Sequence, residues 1–208
     1  MQLNEIAVIQ RNSAEYPANL KTHQSKQSPD EIYTLGDFLI LKQKKLAVFC
    51  SKKYPGTIIM QMYDVMRSLR KESLAVIGGF HSPMEQECLN ILFRGKASAI
   101  VCPARALHNM RIRKEFRGPL GEGRLLLLLP FQDHHNRISL KNSTSRNYFV
   151  AAVADAIIVT YAAPQSKTEE FCGEIISWGK PVYTLKSEEN KKLIEMGAIP
   201  VSPEQPVF

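Results

Sequence analysis

The sequence predicts an α/β fold: a Rossmann-like, doubly wound parallel sheet of about six strands with helices on both faces. Three observations predict it. Short, continuous apolar runs recur from Lys45 onward, as expected of strands buried on both faces. Most are followed by a stretch with helical spacing. Turn formers or polar residues close them, so strand and helix alternate.

The elements follow in order. Leu46 to Cys50 is the first strand, ending at Ser51. Ile58 to Lys71 carries apolar residues at Ile59, Met62, Met66 and Leu69, the spacing of an amphipathic helix. Leu74 to Ile77 is the second strand, closed by Gly78-Gly79. Pro83 to Phe93 is a helix with Ser82 as N-cap and Pro83 in its first turn. Ala99 to Cys102 and Arg124 to Leu129 are the third and fourth strands, stopped by Pro103 and Pro130. The segment 103–123 between them holds Gly118, Pro119, Gly121 and Gly123 and reads as a long basic loop. A helix over Ser145 to Ala154 precedes the fifth strand, Ala156 to Tyr161. Lys167 to Trp178 is helical and stops at Gly179 and Pro181. Val182 to Leu185 is the sixth strand, and Glu188 to Met196 the last helix. Residues 1–44 form a front segment packed on a core domain of 45–208.

Composition narrows the class. Of 208 residues 44% are hydrophobic and 23% charged, a globular balance. Lysine and arginine number 27 against 20 acidic residues, a net charge of +7 that favours a polyanionic partner. Met1 to Glu5 lacks the basic-then-apolar pattern of a signal peptide. The longest apolar runs, such as Leu125 to Pro130, are too short to span a bilayer. Four scattered cysteines without a CxxC spacing read as free thiols. The expectation is a cytoplasmic protein with no membrane partner.

Three pieces carry candidate chemistry: Gly78-Gly79-Phe80-His81-Ser82, Ser145-Arg146-Asn147 and Ser166-Lys167-Thr168. Each is placed at a strand end or a helix start, positions that share one edge of an open parallel sheet. They offer N–H groups, hydroxyls and cations and contain no carboxylate. The reading is an anion pocket for phosphate, built from Ser51, Gly78, Gly79, His81, Ser82, Arg146, Asn147, Ser166, Lys167 and Thr168. Glycines at 78 and 79 would let a ligand approach the backbone. Arg105, Arg111, Arg113, Lys114 and Arg117, with Arg124 nearby and Phe116 among them, form a second basic region suited to a single strand. His134-His135 beside Asp133 lies in a polar loop without zinc-like spacing, so no metal site is expected. No cofactor and no catalytic residue are expected either.

Taken in order, these residues resemble the DNA-processing protein A family (DprA, also called Smf). Tyr16-Pro17-Ala18-Asn19-Leu20 with Ile32 to Asp37 is similar to the family's YPxxL…LYxxGn opening. Ile77-Gly78-Gly79 resembles its SGxA turn, and Ser145-Arg146-Asn147-Tyr148 through Ala154-Asp155-Ala156 its RNRIIAGLSDA stretch. Ser166-Lys167-Thr168 looks like its SGSLxTA helix start, and Gly179 to Tyr183 its grxVfavP strand. Departures are Cys50-Ser51-Lys52 for Gly-Ser-Arg, Tyr148 for a second arginine, and Phe80 to Pro83 for GID…AH. The resemblance implies a Rossmann-like domain that binds single-stranded DNA and helps load recombinase. The core is expected to extend almost to the last residue given, so the family's C-terminal winged-helix domain is not expected within this sequence.

The leading reading is therefore a non-catalytic single-stranded DNA-binding protein. The alternative is a nucleotide-derived ligand sensor or nucleotide hydrolase of the same superfamily. Arg146, Ala154-Asp155-Ala156 and Pro164 to Glu170 also resemble the lysine-decarboxylase-like nucleotide hydrolases. Their PGGxGTxxE glutamate falls at Phe171 here, and Glu170 is one residue early, about 100° away on a helix. Without that carboxylate, glycosidic cleavage lacks its acid–base group. A scaffold with a vestigial pocket, and a homodimer through the edge after the sixth strand, stay open.

Overall fold

The computed structural model describes residues 5–23, 28–107, 110–130 and 139–202. His134 and His135 lie outside them. The core strands are β3 (Lys45–Cys50), β4 (Ala75–Gly78), β5 (Ser98–Val101), β6 (Leu125–Leu129), β7 (Ala156–Tyr161) and β8 (Val182–Leu185). Two further strands precede them, β1 (Ala7–Gln10) and β2 (Glu31–Gly36), and one follows, β9 (Ile199–Val201). The helices are α1 (Ala18–His23), α2 (Gly56–Leu69), α3 (Pro83–Phe93), α4 (Lys114–Gly121), α5 (Leu140–Val153), α6 (Lys167–Ile176) and α7 (Lys191–Glu195).

All nine strands form one sheet in the order β1-β2-β6-β5-β4-β3-β7-β8-β9. From β6 to β9 the neighbours pair in parallel. The chain winds outward from β3 to β6, then returns to place β7 on the other side of β3. That reversal opens a crevice at the carboxyl ends of β3 and β7, where open α/β sheets bind ligands.

Alternation along β3 shows how the sheet separates two cores. Leu46, Val48 and Cys50 pack with α2 and α3 residues such as Met62 and Leu92. Ala47 and Phe49 face the opposite layer with Phe149 of α5 and Cys172 of α6. Both sets are buried, so the strand reads as a continuous apolar run.

The strand count exceeds the expected six because short flanking strands join the sheet. β2 pairs antiparallel with β6, and β1 with β2. In β2, Ile32, Thr34 and Leu35 are buried while Glu31 and Tyr33 are partly exposed, a weak alternation that a polar neighbourhood hides. The segment expected as a loop over 103–123 contains α4. Its turn formers mask a helical stripe, since Phe116, Pro119 and Leu120 at i, i+3 and i+4 are buried. α5 begins five residues earlier than the expected Ser145. Ser139 caps it through the Asn142 N–H at 3.0 Å, and its first turns are too polar to show a helical period.

Besides the β2–β6 pairing, a carboxylate ties the front segment to the core. Asp155 accepts hydrogen bonds from the Asn19 side chain and from the Lys45 N–H, and pairs with the Lys45 ammonium at 3.1 Å. Burial alone would raise its pKa, but the Lys45 and Asn19 donors outweigh it and hold the group below its ordinary value. Lys180 performs a related task at the same carboxyl end of α5, where its ammonium donates to the carbonyls of Ala151, Ala152 and Ala154. It replaces the water that those terminal carbonyls would otherwise need. No described helix is long and apolar enough to cross a membrane.

Candidate functional site

The carboxyl ends of β7, β3, β4 and β5 lie side by side at the crevice. With strands about 4.8 Å apart, β7 and β4 are separated by about 10 Å. Ser51 follows β3 and is buried. Its Oγ accepts the Ala163 N–H at 2.9 Å and lies 3.5 Å from the Ser166 Oγ, which stitches the β3 and β7 ends together.

Gly78 and Gly79 close β4. A Cβ on Gly78 would stand 3.3 Å from the Phe80 ring, and a Cβ on Gly79 would overlap the Arg146 guanidinium. The glycine pair therefore admits two of the protein's own side chains. At Gly79 the Arg146 guanidinium takes the direction a Cβ would occupy. Phe80 adopts φ 48°, a left-handed conformation uncommon for a bulky residue.

Arg146 does not open its helix, as expected from sequence, but sits in the second turn of α5 and is only 6% exposed. Its Nη1 donates to the Cys102 carbonyl at 2.8 Å and its Nε to Asn147 Oδ1 at 2.9 Å. Nη2 makes no hydrogen bond, and no carboxylate pairs with the side chain, among the described residues. Burial lowers its pKa, a sign that the cation is held in a poorly solvated place. Asn147 is thus a support for Arg146 through its oxygen.

The two helix starts are occupied by glutamates. Ser82 accepts the Glu85 N–H, while the Glu85 carboxylate accepts the N–H groups of His81 and Ser82 at 2.8 and 3.1 Å. This is a capping box on α3. At α6, Ser166 accepts the Glu169 N–H and Glu169 accepts the Gln165 N–H at 3.3 Å. Glu169 also pairs with Lys192 at 2.6 Å. The three pieces contain no carboxylate, but a carboxylate folds onto two of them from three residues downstream. The N–H groups of His81, Ser82, Glu85, Gln165 and Glu169 are thereby bonded within the protein. The S-x-x-E spacing was the signal that would have revealed both.

Lys167 is exposed and Thr168 half-buried at the start of α6, beside the acidic first turn of Glu169 and Glu170. His81 stands exposed at the rim of the crevice. Crowding by the protein, then the charges of Arg146, Arg113 and Lys52, push its pKa down to about 4, so it is neutral at pH 7. Lys52 was outside the expected site, although it directly follows Ser51.

Two cavities divide the pieces that were expected around one concavity. One of about 220 Å³ is lined by Gly79, Phe80, His81, Arg105, Arg111 and Arg113, among others. The other, of about 330 Å³, is lined by Gln165, Ser166, Glu169, Glu170 and Lys192. The first is basic and the second mainly acidic. Arg105, Arg111, Lys114 and Arg117 are exposed on the basic side. Arg113 lies over the Phe116 ring at 5.6 Å and 3.9 Å from Glu115. Arg124 does not join them, because it pairs with Glu122 and reaches the Phe93 carbonyl.

The architecture resembles that of DNA processing protein A from Streptococcus pneumoniae, with a TM-score of 0.79 over 96% of this chain and 72% of that one at 17% identity. The Helicobacter pylori DNA processing protein A, a structure concerned with its single-stranded DNA binding mode, gives 0.74 over 98% and 91% at 16% identity. A molybdenum cofactor carrier protein from Chlamydomonas reinhardtii gives 0.51 over 78% and 92% at 11% identity. These likenesses establish the fold. No curated protein sequence matches the chain. Residues 7–207 match the family of DNA recombination-mediator protein A, and with nearly its whole length covered the chain belongs to that family.

Proposed function

We propose that this chain binds single-stranded DNA at the carboxyl edge of its sheet and does so without catalysing a reaction, as a protein of DNA processing and recombination. One observation carries the reading. Arg146 is a buried cation with no carboxylate partner among the described residues, set beneath a rim of His81, Lys52 and Arg113. Burying an unpaired charge is costly, and a phosphate at the crevice would supply the missing counter-charge. Lys167, from the α6 start, would reach the same strand from the other wall. The Helicobacter pylori protein of the same fold binds single-stranded DNA.

The nearest carboxylates support a binding role. Glu85 and Glu169 are engaged by backbone N–H groups, and Glu169 by Lys192 as well. Phe171, at the position where the nucleotide hydrolases carry a glutamate, is buried edge-on against Phe49 at 4.9 Å. Glu170 is exposed on a different face of α6.

The test is fluorescence anisotropy with a labelled oligodeoxythymidine over a salt series. A strand that meets several cations loses affinity steeply, by about 0.7 in log–log slope per phosphate neutralised. The expected slope therefore exceeds that of a mononucleotide competitor severalfold. Absence of binding at low salt would remove the DNA reading, and a shallow slope with tight mononucleotide binding would favour the nucleotide-ligand alternative.

A further inference from the structure

We propose that the amino edge of the sheet, opposite the crevice, carries a second surface for DNA backbone, with Lys42, Lys44, Arg70, Lys71, Arg94 and Lys96 as its phosphate contacts. The partner is that of the single-stranded DNA reading, on which this rests, and the site is one that reading does not use. From β6 to β9 every neighbouring pair of strands is parallel, so the segments that enter those strands share one edge. Residues 42–44 lead into β3, 70–73 toward β4 and 94–96 toward β5. These three segments hold six lysines and arginines against one carboxylate, Glu72. Lys42, Lys44, Lys71, Arg94 and Lys96 are exposed, and Arg70 is half-buried. With strands about 4.8 Å apart, β3 and β5 are separated by about 10 Å, so the cations add into one local field.

Backbone contacts fix this row. The Ala75 N–H donates to the Lys44 carbonyl at 2.8 Å, which joins the first segment to the second. The N–H groups of Lys96 and Ala97 donate to the Arg70 carbonyl at 2.8 and 3.2 Å, which joins the second to the third. A Cβ on Gly95 would stand 2.4 Å from that carbonyl and 2.7 Å from the Arg70 Cβ, so glycine is what lets the two loops meet. Arg70 and Arg94 are the C-caps of α2 and α3, where the helix dipole by itself favours a cation. Lys71 and Lys96 lie beyond those caps. The side chains of Arg70, Lys71, Arg94 and Lys96 make no hydrogen bond or ion pair among the described residues. Two carboxylates on the same edge are already engaged, Asp155 by Lys45 and Asn19 and Glu122 by Arg124. A polyanion laid along the edge would relieve the mutual repulsion of these cations. The three segments contain no aromatic residue, so the contact is with phosphate and carries no base preference.

The test is lysine acetylation read by mass spectrometry on the wild-type protein, with and without oligodeoxythymidine at low salt. Lys71 and Lys96 are expected to react severalfold more slowly with the oligonucleotide present, as is Lys52 at the crevice, while Lys191 of α7, also exposed, reacts equally in both. In Arg146→Met, with thermal unfolding as the control for fold, protection is expected to weaken at Lys52 and to persist at Lys71 and Lys96. Protection of Lys52 alone overturns the second surface and leaves the crevice reading standing. Protection at none of these lysines overturns both. Equal protection of every lysine, Lys191 included, marks unspecific coating and overturns the assignment to this edge. Protection of Lys71 and Lys96 by phosphatidylglycerol vesicles and not by the oligonucleotide gives the edge to a membrane surface and overturns it as well.

Discussion

Arg146 occupies the space that a side chain at position 79 would need, so the two residues explain each other. The sequence marked both as members of one site. It did not show that the guanidinium would be buried, because a helix start facing solvent and a second-turn position facing the sheet differ by a few residues of register. His81 adds a pH signature at this scale. Its pKa is pushed down to about 4 in the free protein by crowding and by the Arg146, Arg113 and Lys52 charges. A phosphate in the crevice offsets those charges and raises it. The complex then holds more protons than the free protein, so affinity rises as pH falls from 7.5 to 5. Anisotropy at the two pH values is expected to show tighter binding at the lower one in wild type and a smaller gain in His81→Gln. An equal gain in the variant would assign the effect to other groups.

At the scale of elements, helix entry is where the expected and observed structures differ most in chemistry. Ser82 and Ser166 were legible as N-caps, but the glutamates that complete each cap lie three residues on. They accept the N–H groups of His81 and Ser82 before α3 and of Gln165 before α6. Glu85 also sits near the cationic crevice, since its charge acts on Arg146. Glu85→Gln is therefore expected to act with opposite signs. Losing the carboxylate at the α3 N-terminus should cost about 0.3–1 kcal/mol of stability, read by urea unfolding. The same change should strengthen DNA binding by removing a repulsive charge. Weaker binding in a folded Glu85→Gln protein would show that the carboxylate organises the site instead. The left-handed backbones of Phe80 (φ 48°) and Gln165 (φ 58°) stand beside these two helix starts. Such strain persists where the surroundings hold it, and neither residue type signals it in a sequence. α4 was hidden for a related reason: Gly118, Pro119 and Gly121 suggest a loop, while burial of Phe116 and Leu120 against the sheet overrides them.

For the whole molecule, the parallel core was readable because strands buried on both faces need unbroken apolar runs, and Leu125 to Leu129 is such a run. β1, β2 and β9 were not, because edge strands are short and mixed in polarity, and their pairing is decided by partners distant in sequence. Charge is arranged on the same scale. Cations gather over the β4–β6 edge and carboxylates over α6, so the net charge of +7 understates the local field that a polyanion meets. Arg146 is the buried cation beneath that field. The decisive measurement is the salt series repeated on Arg146→Met, which keeps volume but removes the charge, with thermal unfolding as the control for fold. The expected result is a folded protein whose affinity for oligodeoxythymidine falls about tenfold or more, from loss of a charge-assisted bond. Its log–log salt slope should be shallower by about 0.7. A folded Arg146→Met protein with wild-type affinity and slope would contradict the account.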